Sequence, residues 1–221
     1  MDYAEWEPVY LEIVKDLGLD IGEDENSVRV LKALTLNSDL VMDDVLAEIM
    51  GNEATVFGDA GSLEKDIGKA EPRGTLISAG SATERVVEAG IGPDIVVTDL
   101  DGNVDYQIEA SGSGALTLIL AHGDNYDAVV RYAREFKGPL VLTTQSRPFG
   151  TVANYGGFTD GDRAVCTARH FGAVKIFLQG FDFDKPRLRA GDDPDRSKRK
   201  LEWARRIIYD MNPPGIEIVM P

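Results

Sequence analysis

The stretch Asp94-Ile95-Val96-Val97-Thr98-Asp99-Leu100-Asp101-Gly102 decides how this chain folds, because it joins a short apolar run to a charged end. Its consecutive β-branched residues predict a strand buried within a sheet. Ligands of open α/β sheets bind at the carboxyl ends of the strands, which is where this stretch places Asp99 and Asp101. Residues i and i+2 of a strand point to the same side. An extended backbone would therefore bring these carboxylates together and turn Leu100 towards the core.

Two converging carboxylates repel each other, and a divalent cation relieves that repulsion. In proteins, Mg²⁺ is typically bound by one or two carboxylates together with phosphate oxygens of a substrate. Asp99 and Asp101 are therefore our candidate magnesium ligands. The alternative interpretation is a polar exit from the strand, because aspartate is common in turns.

The composition is that of an ordinary soluble globular protein, with 43% hydrophobic and 28% charged residues in a chain of 221. This length suffices for one large domain or for a domain with an appendage. No apolar run approaches a membrane span of about 18 residues, and the acidic N-terminal residues argue against a signal peptide. Cys166 is the only cysteine, so no internal disulfide can form, which fits the cytoplasmic location that we expect.

The net charge of −15 restricts the partners of the chain. It opposes binding to nucleic acid and to anionic lipid, and we expect neither nucleic acid nor a membrane as a partner. A phosphate ligand would need a bound metal and a local basic patch. The basic run over residues 196–206 is the candidate patch, with Lys198 and Lys200 as phosphate ligands, unless the run is only a solvated helix face.

The periodicity of the sequence predicts two regions, a helical N-terminal region over residues 1–52 and an α/β catalytic domain over residues 53–221. In the first region apolar residues recur at helical spacing from Trp6 to Leu17, and Gly18 is the expected stop of the first helix. We expect the aromatic residues of this region to lie in the core, where it packs on the main domain.

From Ala54 onwards short apolar runs alternate with helical stretches, which predicts a doubly wound, mostly parallel sheet flanked by helices. The predicted strands are Thr55–Phe57, Thr75–Ser78, Ile95–Thr98, Leu116–Ala121, Leu140–Thr143, Lys175–Leu178 and Glu217–Val219. The predicted helices of this part include Thr83–Ala89, Asn125–Phe136, Asp160–Phe171 and Ser197–Asp210.

Turns of glycine and other small residues follow the first two predicted strands. The turn over residues 57–63 offers backbone N–H groups to a phosphate, which makes Gly58 and Ser62 candidate cofactor ligands. The alternative is a plain tight turn with Ser62 as helix N-cap. The turn over residues 78–83 permits close approach of a ligand near Ser81, unless its small residues serve only helix–strand packing.

Two further segments carry charged side chains. The segment His122-Gly123-Asp124-Asn125 follows an apolar run and offers Asp124 as a metal ligand or base, although a histidine in this position is often structural. Asp160, Asp162 and Arg163 begin a predicted helix after a glycine pair. Capping of that helix by aspartate is the alternative to a role in a site.

The string over residues 77–102, ISAGSATERVVEAGIGPDIVVTDLDG, resembles thiamine pyrophosphokinases. The later strings HGDN, GGFTDGDRA and GFDF (Gly180–Phe183) resemble more specifically the archaeal 6-hydroxymethyl-7,8-dihydropterin pyrophosphokinase family, and the similarity covers roughly residues 54–210. The resemblance implies a thiamine-pyrophosphokinase-like fold. It also implies a 2-amino-4-hydroxy-6-hydroxymethyldihydropteridine diphosphokinase of folate- or methanopterin-type cofactor biosynthesis.

The reaction implied by this resemblance is a Mg²⁺-dependent transfer of diphosphate from ATP to the hydroxymethyl group of the pterin, with release of AMP. The metal-binding positions of the family map onto Asp99 and Asp101. Asp124 and Asp160 are further acidic candidates for the catalytic site.

The chain departs from the resembled pattern at two turns. The acidic residue of the family's Ala-Asp-Gly-Ala turn is Gly80 here, which removes a possible cation ligand. The family's Gly-Pro-Ser-Leu turn reads Ala60-Gly61-Ser62-Leu63, which changes the surface offered to phosphate.

The remaining candidates follow from the chemistry, because phosphoryl transfer is catalysed mainly by positioning and by neutralisation of charge. The residues expected to contact ATP are Gly58, Ser62, Ser81, Gln145, Arg163, Lys198 and Lys200. The residues expected to contact the pterin are His122, Asn125, Asn154 and Phe158, with Phe181 as an alternative aromatic face.

Three other functions stay open at this point. Thiamine can replace the pterin as acceptor without a change in chemistry. A nucleotide-sugar glycosyltransferase would use Asp99-Leu100-Asp101 to hold a metal–diphosphate. A non-catalytic acidic interaction module is disfavoured, because it gives no reason for carboxylates at several successive strand ends. The sequence is compatible with a homo-oligomer.

Overall fold

One parallel sheet of eight strands organises the chain in a computed structural model that describes residues 1–188 and 191–221. The strands are β1 (Glu53–Phe57), β2 (Thr75–Ala79), β3 (Ile95–Thr98), β4 (Leu116–Ala121), β5 (Leu140–Thr144), β6 (Val152–Ala153), β7 (Lys175–Gln179) and β8 (Glu217–Val219). Their order is β6-β5-β4-β3-β2-β1-β7-β8, and every neighbouring pair is parallel. The predicted doubly wound, parallel α/β fold is therefore confirmed.

Helices cover both faces of the sheet and also form the N-terminal part of the chain. They are α1 (Tyr3–Leu17), α2 (Ile21–Leu34), α3 (Asp43–Ile49), α4 (Leu63–Lys69), α5 (Ala82–Glu88), α6 (Val104–Gly112), α7 (Tyr126–Tyr132), α8 (Asp160–His170) and α9 (Pro194–Arg205). A single 3₁₀ turn, Gly123–Asn125, precedes α7, and α9 continues into a π-helical turn, Arg206–Asp210.

The strands read as continuous apolar runs because a parallel sheet is buried on both faces. Strand β4 illustrates this, since all six of its residues are buried. Leu116 and Leu118 pack in the core cluster that contains α8. Ile119 and Ala121 point to the opposite face and pack in the cluster that contains α2 and α7.

The order of the strands creates a crevice beside β1. After β1 the chain adds strands β2 to β6 on one side of it, and then returns to the other side with β7. In open α/β sheets the carboxyl ends of the strands at such a switch point form the ligand site. Gly58 lies at this position after β1, and Gly180 lies beside it after β7.

The N-terminal helices pack on the sheet domain. Helix α1 begins at a capping box formed by Asp2 and Glu5, and it ends where Gly18 adopts a φ of 65°, as the sequence predicted. It buries Trp6 and Tyr10 in a cluster with Phe158 and with Cys166 of α8. None of the described helices has both the length and the apolar character that crossing a membrane requires.

The sequence missed two elements, each for a local reason. Strand β6 has only two residues, which is too short for an alternating pattern. Helix α4 follows Ser62, where the sequence indicated a helix start. Helix α6 buries Gln107, Ala110 and Ser111 beside Val104, so that its inner face carries polar and small residues and gives only a weak helical periodicity.

Candidate active site

Three carboxylates meet at the carboxyl end of β3 and the start of α8. Asp99, Asp101 and Asp160 each offer an oxygen, and these oxygens lie within 4.8 Å of one another. We call these three residues the acidic cluster. One oxygen each of Asp99 and Asp160 is buried without a hydrogen-bond partner among the described residues. Such an arrangement is costly without a cation, and the donor set of hard carboxylate oxygens fits a divalent cation such as Mg²⁺.

The acidic cluster changes the protonation of its members. Burial raises the pKa of Asp160 well above its ordinary value, and the charges of Asp99 and Asp101 raise it further. Burial also opposes ionisation of Asp99, but the hydrogen bond and charge of His122 outweigh that effect and lower the pKa of Asp99. Within the cluster Asp99 therefore ionises readily, whereas its surroundings oppose ionisation of Asp160.

The backbone brings Asp99 and Asp101 together in a different way from the one expected. Strand β3 ends at Thr98, and Leu100 adopts a left-handed conformation with a φ of 66°. The expected extended geometry is therefore wrong, although Leu100 is buried as expected. Leu100 is the only non-glycine residue with positive φ in the described part of the chain, and such strain is typical of functional sites.

Polar side chains hold this strained turn in place. The Thr98 hydroxyl accepts a hydrogen bond from the backbone N–H of Leu100 at 2.8 Å and donates to Gln107 at 2.7 Å. The Gln107 amide then donates to the backbone oxygen of Asp101 at 2.8 Å. Asn125 donates to the backbone oxygen of Asp99 at 2.7 Å. The carboxylates therefore project from a turn whose backbone groups are already satisfied.

A cavity of about 480 Å³ opens over the acidic cluster at this edge of the sheet. Its volume lies in the range of small-molecule sites. The candidate residues that line it are Gly58, Ser81, Asp99, Asp101, His122, Asp124, Gln145, Phe158, Asp160, Phe181 and Lys200. The sheet topology thus brings together residues from the ends of six strands, β1 to β5 and β7, with others from α8 and α9.

Helix α9 contributes basic side chains from one of its faces. Arg196 and Lys200 lie one helical turn apart, and both line the cavity. Arg196 donates to a carboxylate oxygen of Asp124 at 2.7 Å, and the Lys200 ammonium lies 6.0 Å from the centre of the Phe158 ring. Lys198 is exposed on another face and is not among the described residues that line the cavity. Its expected contact with ATP is therefore not supported by its position.

Arg163 also lies elsewhere than expected. Its side chain is buried, and its guanidinium donates to the Thr143 hydroxyl at 2.8 Å and to the Gly157 backbone oxygen at 3.3 Å. Burial lowers its pKa, against the charges of Asp160 and Asp162, which favour the protonated form. Arg163 thus supports the acidic cluster from inside the protein, and its guanidinium does not line the cavity.

Three uncharged candidates lie away from the cavity. The Asn125 side chain accepts from the backbone N–H of His122 at 2.9 Å, which closes the turn between β4 and α7. Asn154 donates to the Ser146 backbone oxygen and accepts from the Gly156 N–H, both at 2.8 Å. Ser62 precedes α4, but its side chain makes no cap hydrogen bond. None of the three is among the described cavity-lining residues.

Backbone N–H groups of the turn after β1, which the sequence predicted to bind phosphate, form hydrogen bonds to the end of β7 instead. The N–H of Gly58 donates to the Gln179 oxygen at 2.8 Å, and the N–H of Ala60 donates to the Gly180 oxygen at 2.9 Å. These two N–H groups are therefore occupied by the end of β7. The charged residue of this turn, Asp59, is half-buried, lines the cavity and forms ion pairs with Arg85 and Arg187.

The chain matches a family model described as "6-hydroxymethylpterin diphosphokinase MptE-like" over residues 29–187. The chain belongs to this MptE-like family. It is 41% identical over 219 residues to the 6-hydroxymethyl-7,8-dihydropterin pyrophosphokinase of Pyrococcus furiosus, covering 94% of this chain and 93% of that protein. It is 39% identical to the protein of the same name from Methanothermobacter thermautotrophicus, covering 94% of both chains. The resemblance found in the sequence motifs is confirmed.

A solved structure supports the fold alone. The MAf glycosyltransferase from Magnetospirillum magneticum AMB-1 superposes with a TM-score of 0.52 at 16% sequence identity. The superposition covers 77% of this chain and 33% of the glycosyltransferase. The MptE-like chain thus shares its sheet architecture with part of a larger protein, and an identity this low carries no argument about activity.

The sequence did not predict that the N-terminal helices contribute to the site of this MptE-like protein. The turn between α1 and α2, over residues 17–20, lines the cavity together with Glu23 and Asp24. It also missed Lys185 and Arg187, which line the cavity after β7. The available signal was weak in both cases. Residues 17–24 follow no predicted strand of the sheet, and Lys185 and Arg187 lie several residues beyond the predicted strand Lys175–Leu178.

Proposed function

We propose that this protein transfers diphosphate from ATP to the hydroxymethyl group of 6-hydroxymethyl-7,8-dihydropterin, giving the pterin diphosphate and AMP. Its relatives of known name are pterin pyrophosphokinases over nearly the full length of the chain. The observation that carries the proposal is the acidic cluster, which lies under a cavity with basic side chains on its walls. An anionic substrate in a protein of net charge −15 needs this combination.

Asp99, Asp101 and Asp160 are the residues that would hold Mg²⁺. Bound there, the ion would supply positive charge to the phosphate oxygens of ATP. The buried oxygens of Asp99 and Asp160 support this assignment, because the described residues 1–188 and 191–221 offer them no hydrogen-bond partner.

The reaction joins the hydroxymethyl oxygen to the β-phosphorus and breaks the bond between that phosphorus and the oxygen that bridges it to the α-phosphorus. The bridging oxygen leaves with AMP, and the hydroxyl proton passes to a base. Arg196, Lys200 and Arg187 would neutralise the phosphate oxygens, since each lines the cavity. Positioning and neutralisation of this kind account for most of the catalysis of phosphoryl transfer.

The walls of the cavity combine apolar and polar surface, as a flat ring with a polar edge requires. Phe158, Leu17 and Leu201 contribute apolar surface, while Gln145 and Asp124 contribute polar groups. A pterin presents two faces for apolar contacts and an edge of alternating donors and acceptors. Small-molecule sites commonly combine these two kinds of wall.

The cellular setting follows from the same chemistry. We propose a cytoplasmic enzyme of folate- or methanopterin-type cofactor biosynthesis, with ATP and a pterin as its partners. The strong negative charge disfavours nucleic acid as a partner.

The deciding experiment measures AMP release from ATP and Mg²⁺ with a panel of acceptors at equal concentration, and identifies the products by mass. The expected result is AMP and pterin diphosphate with 6-hydroxymethyl-7,8-dihydropterin. Thiamine diphosphate as the main product would show that thiamine, and not the pterin, is the acceptor. No AMP with any acceptor would overturn the proposed reaction.

A further inference from the structure

Asp24 is a buried carboxylate that joins the N-terminal helices to the site. It lies on α2 and its side chain is 3% exposed. Three groups from three different parts of the chain donate to it. They are the Tyr10 hydroxyl at 2.6 Å, the Gln145 amide at 2.6 Å and the Gly123 backbone N–H at 2.8 Å.

These hydrogen bonds replace an ion pair. No lysine, arginine or histidine of the described residues forms a salt bridge with Asp24, and a buried carboxylate without either kind of partner is costly. Burial and the bond to Asp24 raise the pKa of Tyr10, so the Tyr10 hydroxyl keeps its proton and donates it to the carboxylate. Asp24 is therefore the acceptor at the centre of a network of donors.

Two of the three donors belong to the walls of the cavity. Gly123 lies in the turn after β4, between His122 and Asp124, and Gln145 follows β5. The imidazole Nε2 of His122 lies 3.5 Å from a carboxylate oxygen of Asp99 in the acidic cluster. Gly123 directly follows His122, so the position of its backbone helps to set the place of the imidazole beside Asp99.

The packing around Gly123 leaves little freedom for such a movement. A Cβ placed on Gly123 would lie 2.8 Å from the Cβ of Glu23, the residue next to Asp24 on α2. Helix α1 is tied to the same region, because the indole N–H of Trp6 donates to the Gln145 backbone oxygen at 2.8 Å. Both N-terminal helices thus hold the ends of β4 and β5 by hydrogen bonds.

We propose that Asp24 is a positioning residue, which fixes His122 beside Asp99 through the Gly123 N–H and fixes the β5 wall of the cavity through Gln145. The N-terminal helices then complete the active site instead of only covering the sheet. The effect on turnover rests on the proposed function, whereas the effect on the position of His122 can be measured without it.

The test compares Asp24→Asn with Tyr10→Phe. Asp24→Asn leaves one acceptor oxygen and sets its amide N–H₂ against a donor, either the Gly123 N–H or the Gln145 amide, so it weakens the network on the side of the cavity. Tyr10→Phe removes a donor to the same carboxylate on the side of α1, and Tyr10 is not a cavity-lining residue. Both variants should lower the melting temperature. Only Asp24→Asn should lower kcat, by about 10-fold or more, the usual effect of losing a residue that orients a metal site.

The second readout is the NMR signal of the histidine imidazoles, which needs no turnover. The chain contains two histidines, His122 in the cavity and His170 at the end of α8, so His170 serves as an internal reference. In the metal-free protein, Asp24→Asn should shift the His122 signals and leave those of His170 in place. Tyr10→Phe should shift neither. Addition of Mg²⁺ should move the His122 signals of the wild type, with a Kd that Asp24→Asn raises about 10-fold.

If Asp24→Asn does not fold, Gly123→Ala tests the same contact from the other side, because the added Cβ pushes the turn away from α2. It should shift the His122 signals while Asp24 keeps its bond to Tyr10. Wild-type kcat and unchanged His122 signals in either folded variant would overturn the proposal. If the wild type releases no AMP, the proposed reaction fails, and the His122 signals still decide the role of Asp24.

Discussion

The carboxylate of Asp160 fills the space that a side chain at Gly80 would need, since a Cβ on Gly80 would lie 2.2 Å from the Oδ2 of Asp160. Gly80 also has a φ of 48°, which a residue with a side chain adopts only with strain. The third carboxylate of the acidic cluster therefore comes from α8, and the turn after β2 makes room for it. This arrangement gives a physical reason for glycine where the resembled pattern has an acidic residue.

The first prediction exchanges these two positions. Gly80→Asp alone should lower the melting temperature and reduce turnover about 10-fold or more, because the new side chain displaces Asp160, a proposed ligand of Mg²⁺. Gly80→Asp combined with Asp160→Ala should be more active than Asp160→Ala alone, since one carboxylate then takes the place of the other. Steady-state AMP release by the three variants makes the comparison. A double variant no better than Asp160→Ala would contradict the exchange.

The second prediction concerns Asp99 and Asp101. Asparagine at either position keeps the shape and removes the charge, so turnover should fall at least ~100-fold, the scale of losing a key electrostatic contact. Asp105→Asn is the matched control, because Asp105 is exposed on the neighbouring helix α6. Circular dichroism should show that all three variants fold. Near-wild-type turnover in both site variants would remove the metal assignment.

The third prediction separates two lysines of α9. Lys200 lines the cavity and Lys198 is exposed on another face. Lys200→Ala should raise the KM for ATP about 10-fold, which corresponds to the loss of one charge-assisted hydrogen bond. Lys198→Ala should leave the KM unchanged, and neither change should alter stability much, because exposed charges contribute little to folding. Equal effects of the two variants would mean that the basic run acts only through its overall charge.

The fourth prediction follows from the raised pKa of Asp160. A carboxyl group whose folded-state pKa lies above its unfolded value stabilises the fold at low pH, and that contribution is lost as pH rises through the folded pKa. The contribution of Asp160 to the stability of the metal-free protein should therefore fall as pH rises from about 4, while carboxyls with lowered pKa values, such as Glu64 and Asp66, contribute in the opposite direction. Asp160→Asn imitates the neutral form and should raise the melting temperature at pH 7 by about 2–4 °C in the presence of EDTA.

Magnesium reverses this ranking if the acidic cluster binds it. Mg²⁺ should stabilise the wild type at pH 7, because a ligand of the folded state shifts the unfolding equilibrium. The Asp160→Asn variant should gain much less from the same addition. Thermal unfolding with EDTA and with Mg²⁺ measures both effects. An Asp160→Asn variant that is less stable than the wild type in EDTA would show that the carboxylate is structural.

Local sequence predicted the sheet because each strand carries its own signal. Runs such as Ile95–Thr98 are apolar and β-branched, and alternation with helices left few topologies to consider. It also predicted that Asp99, Asp124 and Gln145 would approach one cavity, since parallel strands end at the same edge. Helix α6 escaped prediction because its buried positions are polar or small.

Contacts between residues far apart in the chain determine which side chains of a helix face the cavity, and the local sequence does not predict them. Which lysine of α9 faces the cavity depends on contacts with α1, where Arg199 donates to the Asp16 oxygen and Arg206 pairs with Glu12. Those partners are more than 180 residues away in the chain. The role of Asp24 likewise depends on a helix that belongs to no strand–helix unit of the sheet. Residues of this kind become visible only when the elements are packed.

The fifth prediction concerns the choice of acceptor and uses the polar groups around Asp124. Asp124 lines the cavity and its carboxylate is held by Arg196 at 2.7 Å. A pterin offers ring nitrogens, an amino group and a carbonyl to such groups, whereas thiamine offers a cationic thiazolium and a different pyrimidine edge. Sites built on hydrogen bonds reject partners that leave those bonds unmade. The pterin should therefore be diphosphorylated at least ~100-fold more efficiently than thiamine.

Asp124→Asn tests whether this carboxylate takes part. The change breaks the ion pair with Arg196 and removes a charge from the cavity wall, so kcat/KM with the pterin should fall while the fold is kept. Arg29→Gln is a matched control, because Arg29 forms an exposed ion pair with Glu25 away from the cavity. Competition between the two acceptors, with mass detection of both diphosphates, gives the ratio directly. A preference for thiamine in the wild type would contradict the prediction. The polar groups of the cavity would then be complementary to thiamine, and Asp124 would be a contact for that acceptor.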